Sequence, residues 1–195
     1  MKKLLVIAMV ALGFTAKAQD IDFGVKAGVN FANLTGDIPD NSSVRTSFHV
    51  GGVVEFKITD KFSIQPELLY SAQGMKYERE QGGVNFDFTT KVDYLYLPVM
   101  AKYYVIDNFS IEAGPQLGFL LSAKTKAETA SVSNTQDFKE NAEDMDFGLN
   151  FGLGYKLNNG LNFGARYNLG LSNLAKENGT DIKNGVFQVS VGYNF

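Results

Sequence analysis

The chain has 195 residues, no cysteine, no tryptophan, 20 glycines, 16 phenylalanines and a formal net charge of -3. The lack of cysteine excludes disulfide scaffolds, thiolate zinc sites and thiol nucleophiles, and the acidity argues against a nucleic-acid partner. A mean hydropathy of -0.09 excludes a bundle of membrane helices but not a membrane barrel, whose lipid-facing and lumen-facing residues cancel in a running average.

Residues 1–18 read as a cleaved secretory signal. Lys2 and Lys3 precede the apolar run from Leu4 to Phe14, and Ala16-Lys17-Ala18 places small residues where a signal peptidase reads them. The run is too short to cross a bilayer, which takes about 20 apolar residues. Its removal leaves one domain over 19–195, more acidic by the charges of Lys2, Lys3 and Lys17.

From Gln19 onward one pattern recurs eight times, apolar residues alternating with polar or small ones on the period of a strand. The first strand, near Asp22 to Asn33, sets Phe23, Val25, Ala27, Val29 and Phe31 against Asp22, Gly24, Lys26, Gly28 and Asn30. The second, Ser47 to Ile58, turns Phe48, Val50, Val54 and Phe56 outward and His49, Val53, Glu55 and Lys57 inward. The third, Phe62 to about Gly74, turns Ile64, Pro66, Leu68 and Tyr70 outward and Ser63, Gln65, Glu67 and Leu69 inward. The fourth opposes Leu95, Leu97, Val99, Ala101 and Tyr103 to Tyr94, Tyr96, Pro98, Met100 and Lys102.

The fifth opposes Phe109, Ile111, Ala113, Pro115, Leu117 and Phe119 to Ser110, Glu112, Gly114 and Gln116, and Pro115, which cannot donate to a ladder, predicts a local bulge or kink. In the sixth, Phe147, Leu149, Phe151, Leu153 and Tyr155 oppose Gly148, Asn150, Gly152, Gly154 and Lys156. In the seventh, Phe163, Ala165, Tyr167 and Leu169 oppose Asn162, Gly164, Arg166 and Asn168. The last, Gly185 to Phe195, is wholly apolar on the face of Phe187, Val189, Val191, Tyr193 and Phe195. That ending, with Tyr193 and Phe195, resembles the signal by which bacterial outer-membrane barrels are recognised for insertion. Strands of about ten residues have the length a tilted membrane strand needs.

The connections alternate in length. Ile58 to Phe62, Val105 to Phe109 and Leu157 to Leu161 each enclose a three-residue turn with Asp or Asn in the middle, whereas Leu34–Thr46, Met75–Lys91, Ser122–Met145 and Ser172–Asn184 are long and polar. Short turns on the periplasmic side and long loops outside are the asymmetry of an outer-membrane barrel. The expected fold is all-β, an eight-stranded antiparallel up-and-down transmembrane barrel in the outer membrane of a Gram-negative bacterium.

Three stretches carry a family resemblance. Phe62-Ser-Ile-Gln-Pro-Glu-Leu-Leu-Tyr-Ser-Ala-Gln-Gly74, Tyr94-Leu-Tyr-Leu-Pro-Val-Met-Ala-Lys-Tyr103 and Gly114-Pro-Gln-Leu-Gly118 resemble motifs of the PorT-like outer-membrane β-barrel domain family, a relative in shape of the OmpX and OmpA barrels. The resemblance spans essentially the whole mature chain and implies the barrel fold without a settled activity. Tyr96 departs from it, standing where the family motif implies a glutamate, so an interior charge network that needed that acid would be incomplete.

The inward face is the place to look for chemistry. It carries Lys26, Glu55, Glu67, Lys102, Glu112 and Arg166, with Lys57 and Lys156 beside them, both signs inside a barrel too narrow for bulk water. Buried charges are tolerated when paired, so these residues read as a structural salt-bridge plug, with a gated ion path as the alternative. His49 is the single histidine. With Ser47 and a loop acid it could form a triad, but nothing in the spacing supports one, and one His without Cys leaves only carboxylates for zinc. The acids Glu128, Asp137, Glu140, Glu143, Asp144 and Asp146 of the third loop match no EF-hand spacing and read as a solvated loop. The glycines of 148–154 fall on inward strand positions, which rejects a nucleotide loop.

No catalytic, cofactor or metal site is therefore expected. The reading is a non-enzymatic structural or interaction protein that presents its loops for adhesion, envelope integrity or docking of secretion machinery. The alternatives are a module binding a ligand at its loops or lumen mouth, and a narrow ion or solute pore. Expected partners are outer-membrane lipid and lipopolysaccharide, the barrel-assembly machinery during insertion, and an extracellular or envelope protein, with no nucleic acid.

Overall fold

The structure, a computed structural model, describes residues 21–81, 83–129, 133–176 and 179–195. The signal segment expected over 1–18 lies outside them. Nine strands are found among the described residues: β1 (Ile21–Gly36), β2 (Ser42–Thr59), β3 (Phe62–Gln81), β4 (Val84–Ile106), β5 (Phe109–Glu128), β6 (Ser133–Asp137), β7 (Met145–Lys156), β8 (Leu161–Gly170) and β9 (Ile182–Asn194). Every pairing is antiparallel, and β1 pairs with β9, so β1–β5 and β7–β9 close into an eight-stranded ring. The short β6 stands outside the ring and pairs with the top of β5. It escaped the sequence reading because Ser133-Asn-Thr-Gln-Asp137 is polar and exposed throughout, and such a segment shows no hydrophobic period.

Closure decides what the alternation means. Phe23, Phe151, Leu153 and Val189 are each about half exposed on the outside of the ring, while Glu55, Glu67 and Arg166 are buried within it. A continuous wall of exposed Phe, Leu, Val and Ile is not a surface that water tolerates, and lipid is what covers it. On β4 this wall runs from Leu95 to Val105. With a rise of about 3.3 Å per residue and a tilt near 40°, it stands roughly 25 Å tall, the height of a membrane barrel's apolar band.

The strands differ from expectation at their outer ends. The segment Met75–Lys91 is not a polar loop, because β3 and β4 run on through it as a hairpin whose Tyr77 and Phe88 rings stack at 4.7 Å with planes 2° apart. The alternation of Met75 with Tyr77 and of Phe86 with Phe88 about Gly82-Gly83 was the sequence signal for it. Likewise β5 runs to Glu128, past the expected end at Leu121. Its bulge is not at Pro115: the ladder to β7 is unbroken there, and the ladder to β4 skips Gly114 and Pro115 without a change of register. It lies higher, where Asp93 pairs with Ser122 but Tyr94 with Leu120. The extra residue there lets both Leu120 and Ala123 face inward.

Two of the three periplasmic turns are also tighter than read. Only Asp60-Lys61 and Asp107-Asn108 separate the strands they join, because a register shift beside each turn absorbs the third residue. The turn from β7 to β8 ends at Gly160, whose φ of +89° needs glycine.

This arrangement makes the outer wall testable. Leu153→Arg or Val189→Arg, at mid-height on the lipid face, is expected to cost about 2–4 kcal/mol in a vesicle refolding equilibrium, against about 0–1 kcal/mol for Thr59→Arg at the periplasmic rim. Equal costs at both heights would refute the assigned membrane level.

Candidate functional site: the barrel interior

The inward residues sort into three layers along the barrel axis. The lowest is a continuous chain of alternating charge. Lys26 Nζ lies 2.8 Å from Glu67 Oε1, and Arg166 clamps both oxygens of the same carboxylate at 2.8 Å. Arg166 reaches on to Glu112 at 3.5 Å, and Lys102 bridges Glu112 at 3.5 Å and Glu55 at 3.6 Å. Lys156 joins Glu55 at 3.4 Å to Asp22 at 2.6 Å, and Lys57 closes the run on Asp22 at 3.4 Å. The structure thus brings together all six charged residues singled out from the sequence, with Lys57 and Lys156. Asp22 is the member the sequence reading left out of the network, although the alternation had placed it inward.

Neutral groups complete the layer. Gln65 donates to Glu67 Oε1 at 2.7 Å and accepts Lys102 Nζ at 3.1 Å. Ser63 donates to Glu55 at 2.7 Å, and the Tyr104 hydroxyl donates to the same oxygen. Glycine makes the room: a Cβ at Gly154 would stand 2.4 Å from Glu112 Oε1. What remains open among Lys26, Lys102, Glu112 and Arg166 is a cavity of about 30 Å³, room for about two water molecules. Below it the periplasmic mouth widens to a vestibule of about 520 Å³ past Asp22, Lys57 and Lys156.

The middle layer is built of amides. Asn30 Oδ1 accepts Gln188 Nε2 at 3.0 Å and lies 2.7 Å from His49 Nδ1, which makes that ring nitrogen the donor. Asn30 Nδ2 in turn donates to Ser71 Oγ and to the Ala72 carbonyl. On the opposite wall Asn168 donates to Asn150, and Asn150 to Gln116. His49 is therefore a buried hydrogen-bonding residue, and Ser47 is not its partner, since its hydroxyl donates to the Ala72 carbonyl at 2.6 Å.

The top layer is apolar, a grouping the sequence reading did not draw although it placed Leu69, Tyr94 and Tyr96 inward. Leu34, Leu69, Met75, Val92, Tyr94, Tyr96 and Leu120 point inward from the strands and pack with Ala142 and Leu174 from the loops after β6 and β8. The two loops are tied across the mouth by an Ala142–Ala175 bridge, by Glu143 N–H to the Leu174 carbonyl at 2.8 Å and by Lys176 N–H to the Asn141 carbonyl at 3.1 Å. Asp146, read as a solvated loop acid, is buried on β7 inside this layer. It accepts the Tyr96 hydroxyl at 2.7 Å and Asn184 Nδ2 at 3.4 Å. The error came from placing the start of β7 two residues late, at Phe147 instead of Met145, since position 146 shares the parity of inward Gly148 and Asn150. Tyr96 thus sits well above the charged chain, which is continuous without a glutamate there.

Of the third-loop acids, Glu128 pairs with Lys126 at 2.7 Å and Asp144 lies 4.0 Å from Lys176, both near the surface. Residues 17–176 match the model of the outer membrane protein beta-barrel domain family. No curated protein matches the chain in sequence. Among solved structures it is similar to Ail, the attachment invasion locus protein of Yersinia pestis, at 12% identity and a TM-score of 0.54 over 89% of this chain and 98% of that one. It is also similar to the Neisserial surface protein A, NspA, at 12% identity and a TM-score of 0.53 over 91% and 100% of the two chains. At this identity the likeness is one of fold. The chain belongs to the outer membrane protein beta-barrel domain family, and its place is the outer membrane of a Gram-negative bacterium.

Proposed function

We propose that this barrel is a non-enzymatic structural and interaction protein of the PorT-like kind, a plugged anchor that carries an extracellular platform. The observation that supports it most is the filled interior: an alternating ion-pair chain below, amides in the middle and an apolar cap tied shut by two loops above. A lumen so filled among the described residues disfavours the pore. The hydrogen-bonding capacity of His49 Nδ1 and of the Ser47 hydroxyl is spent on Asn30 and Ala72, which disfavours a hydrolase. The β3–β4 and β5–β6 hairpins stand above the apolar belt, and they are the surface offered to an extracellular or envelope partner.

In this reading residues 1–18 direct export and are removed, leaving 19–195. Tyr193 on the closing strand and Phe195 just after it, both exposed at the periplasmic edge, present the insertion signal to the assembly machinery. The charged chain of Lys26, Glu55, Glu67, Lys102, Glu112 and Arg166 is structural.

Planar bilayers containing the wild-type protein are expected to show no single-channel steps; reproducible steps would promote the pore reading. Glu67→Ala leaves Lys26 without its acid and Arg166 with only the longer contact to Glu112, and is expected to cost about 3–5 kcal/mol in refolding equilibria. Glu140→Ala, on an exposed loop, is expected to change stability by less than about 0.5 kcal/mol. For the platform, residues 78–87 are replaced by Asn-Gly, which suits the antiparallel pair Tyr77–Phe88 that then flanks the turn. The shortened barrel is expected to keep its faster gel migration when unheated while losing the protein adduct that wild type forms in crosslinked cells. An adduct that survives the truncation would place the contact elsewhere.

A further inference from the structure

The outward face of the β3–β6 sheet, directly above the apolar belt, is sorted by charge rung by rung. The register sets Gly74, Lys91, Lys124 and Asp137 side by side in the lowest rung. The next holds Lys76, Thr89, Lys126 and Thr135, and the one above it Glu78, Asp87, Glu128 and Ser133. Apart from Asp137 in the lowest rung and Asp93 just below it, lysines border the lipid and acids stand away from it.

The lowest rung is unfavourable as it stands. Lys91 and Lys124 are exposed and directly opposite each other across β4 and β5, and like charges so placed repel. Among the described residues Lys76, Lys91 and Lys124 have no ion-pair partner, whereas Lys126, Lys176 and Lys183 on the same side of the membrane each have one. The nearby acids are engaged elsewhere. Asp137, next to Lys124, accepts the Lys139 backbone N–H at 2.9 Å, and Asp93, just below, faces Arg45 and Tyr70. Glu128 is taken by Lys126 at 2.7 Å. Lys139 adds a further ammonium, held by the Leu121 carbonyl at 3.0 Å at the top of the belt on β5.

Position then selects the ligand. The lysines sit at the level of outer-leaflet head groups, and the wall beneath them on the same two strands is apolar, with Leu97, Phe119 and Leu121 exposed. We propose that Lys91, Lys124 and Lys139, backed by Lys76 and Lys126, bind the phosphate-bearing head group of an outer-leaflet lipid whose acyl chains lie along that wall. The bound phosphate neutralises the Lys91–Lys124 repulsion. The acidic rung above repels the same phosphate, which fixes the height at which the lipid sits.

The test is native mass spectrometry of the mature barrel in a neutral detergent. Three probes are titrated: bisphosphorylated lipid A, the same lipid with its phosphates removed, and inorganic phosphate. Wild type is expected to retain the bisphosphorylated lipid, the K91Q/K124Q variant to bind it more weakly by about tenfold or more, and Lys61→Gln in a periplasmic turn to bind as wild type does. The dephosphorylated lipid is expected to be lost from both proteins alike, and millimolar inorganic phosphate to leave the complex intact. Faster migration of unheated K91Q/K124Q on a gel shows that it is folded, and removal of the repelling pair is expected to leave its lipid-free thermal stability equal to or above that of wild type. Should the double variant not fold, Lys139→Gln, outside the ring, carries the same comparison. Unchanged affinity in the variants or equal retention of the dephosphorylated lipid would overturn the site, and displacement by inorganic phosphate would make it a site for soluble anions instead.

Discussion

Glu67 is the residue about which the interior is arranged. Its side chain has no exposed surface, and both of its oxygens are held at 2.8 Å by Arg166 while Lys26 takes one of them at the same distance. A carboxylate so far from water is sustained only by charges brought to it, and those charges arrive on β3 from two other strands, Lys26 from β1 and Arg166 from β8. Each cation then needs its own acid, so the chain extends through Glu112, Lys102, Glu55, Lys156 and Asp22 until Lys57 meets solvent at the periplasmic mouth. The ring of eight strands is what imposes this, because its interior is filled by side chains rather than by bulk water.

The same narrowness sets the layering. Ion pairs occupy the half nearest the periplasm, where the vestibule wets the last of them. At the extracellular end the cap is apolar, and loops folded across it exclude water. The barrel is therefore asymmetric, open below and closed above, and the buried acid of the cap is held by hydrogen bonds from Tyr96 and Asn184 instead of by a cation. Size matching supports each layer. Tyr96 lies against Gly118, its cross-strand partner, where an added Cβ would come within 2.4 Å of the ring. Tyr96 thus has a glycine to receive its ring and an aspartate to accept its hydroxyl.

The outer surface is layered as well. Between the apolar wall and the acidic tips of the hairpins lies a band of lysines, and the register that aligns Lys91 with Lys124 is offset by one residue, at the bulge, from the one that aligns Tyr96 with Gly118. A single extra residue near Leu121 thus keeps apolar residues inward above the membrane while leaving lysines outward.

The sequence by itself determined the strand count of the ring, the face of nearly every strand residue and the six charged residues that meet inside. These depend on a period of two, which local alternation records directly. It also placed Asp22 inward without showing that Lys156 and Lys57, distant along the chain, would turn to it. What it could not determine were features that depend on where several strands end together. The hairpin through 75–91 and the burial of Asp146 follow from strand lengths that neighbouring strands stabilise, and the polar β6 exists only because the upper part of β5 offers it a free edge. The closure of the mouth by Ala142 and Leu174 was likewise decided by tertiary structure, since loop residues carry no period and acquire a face only from the apolar surface they cover.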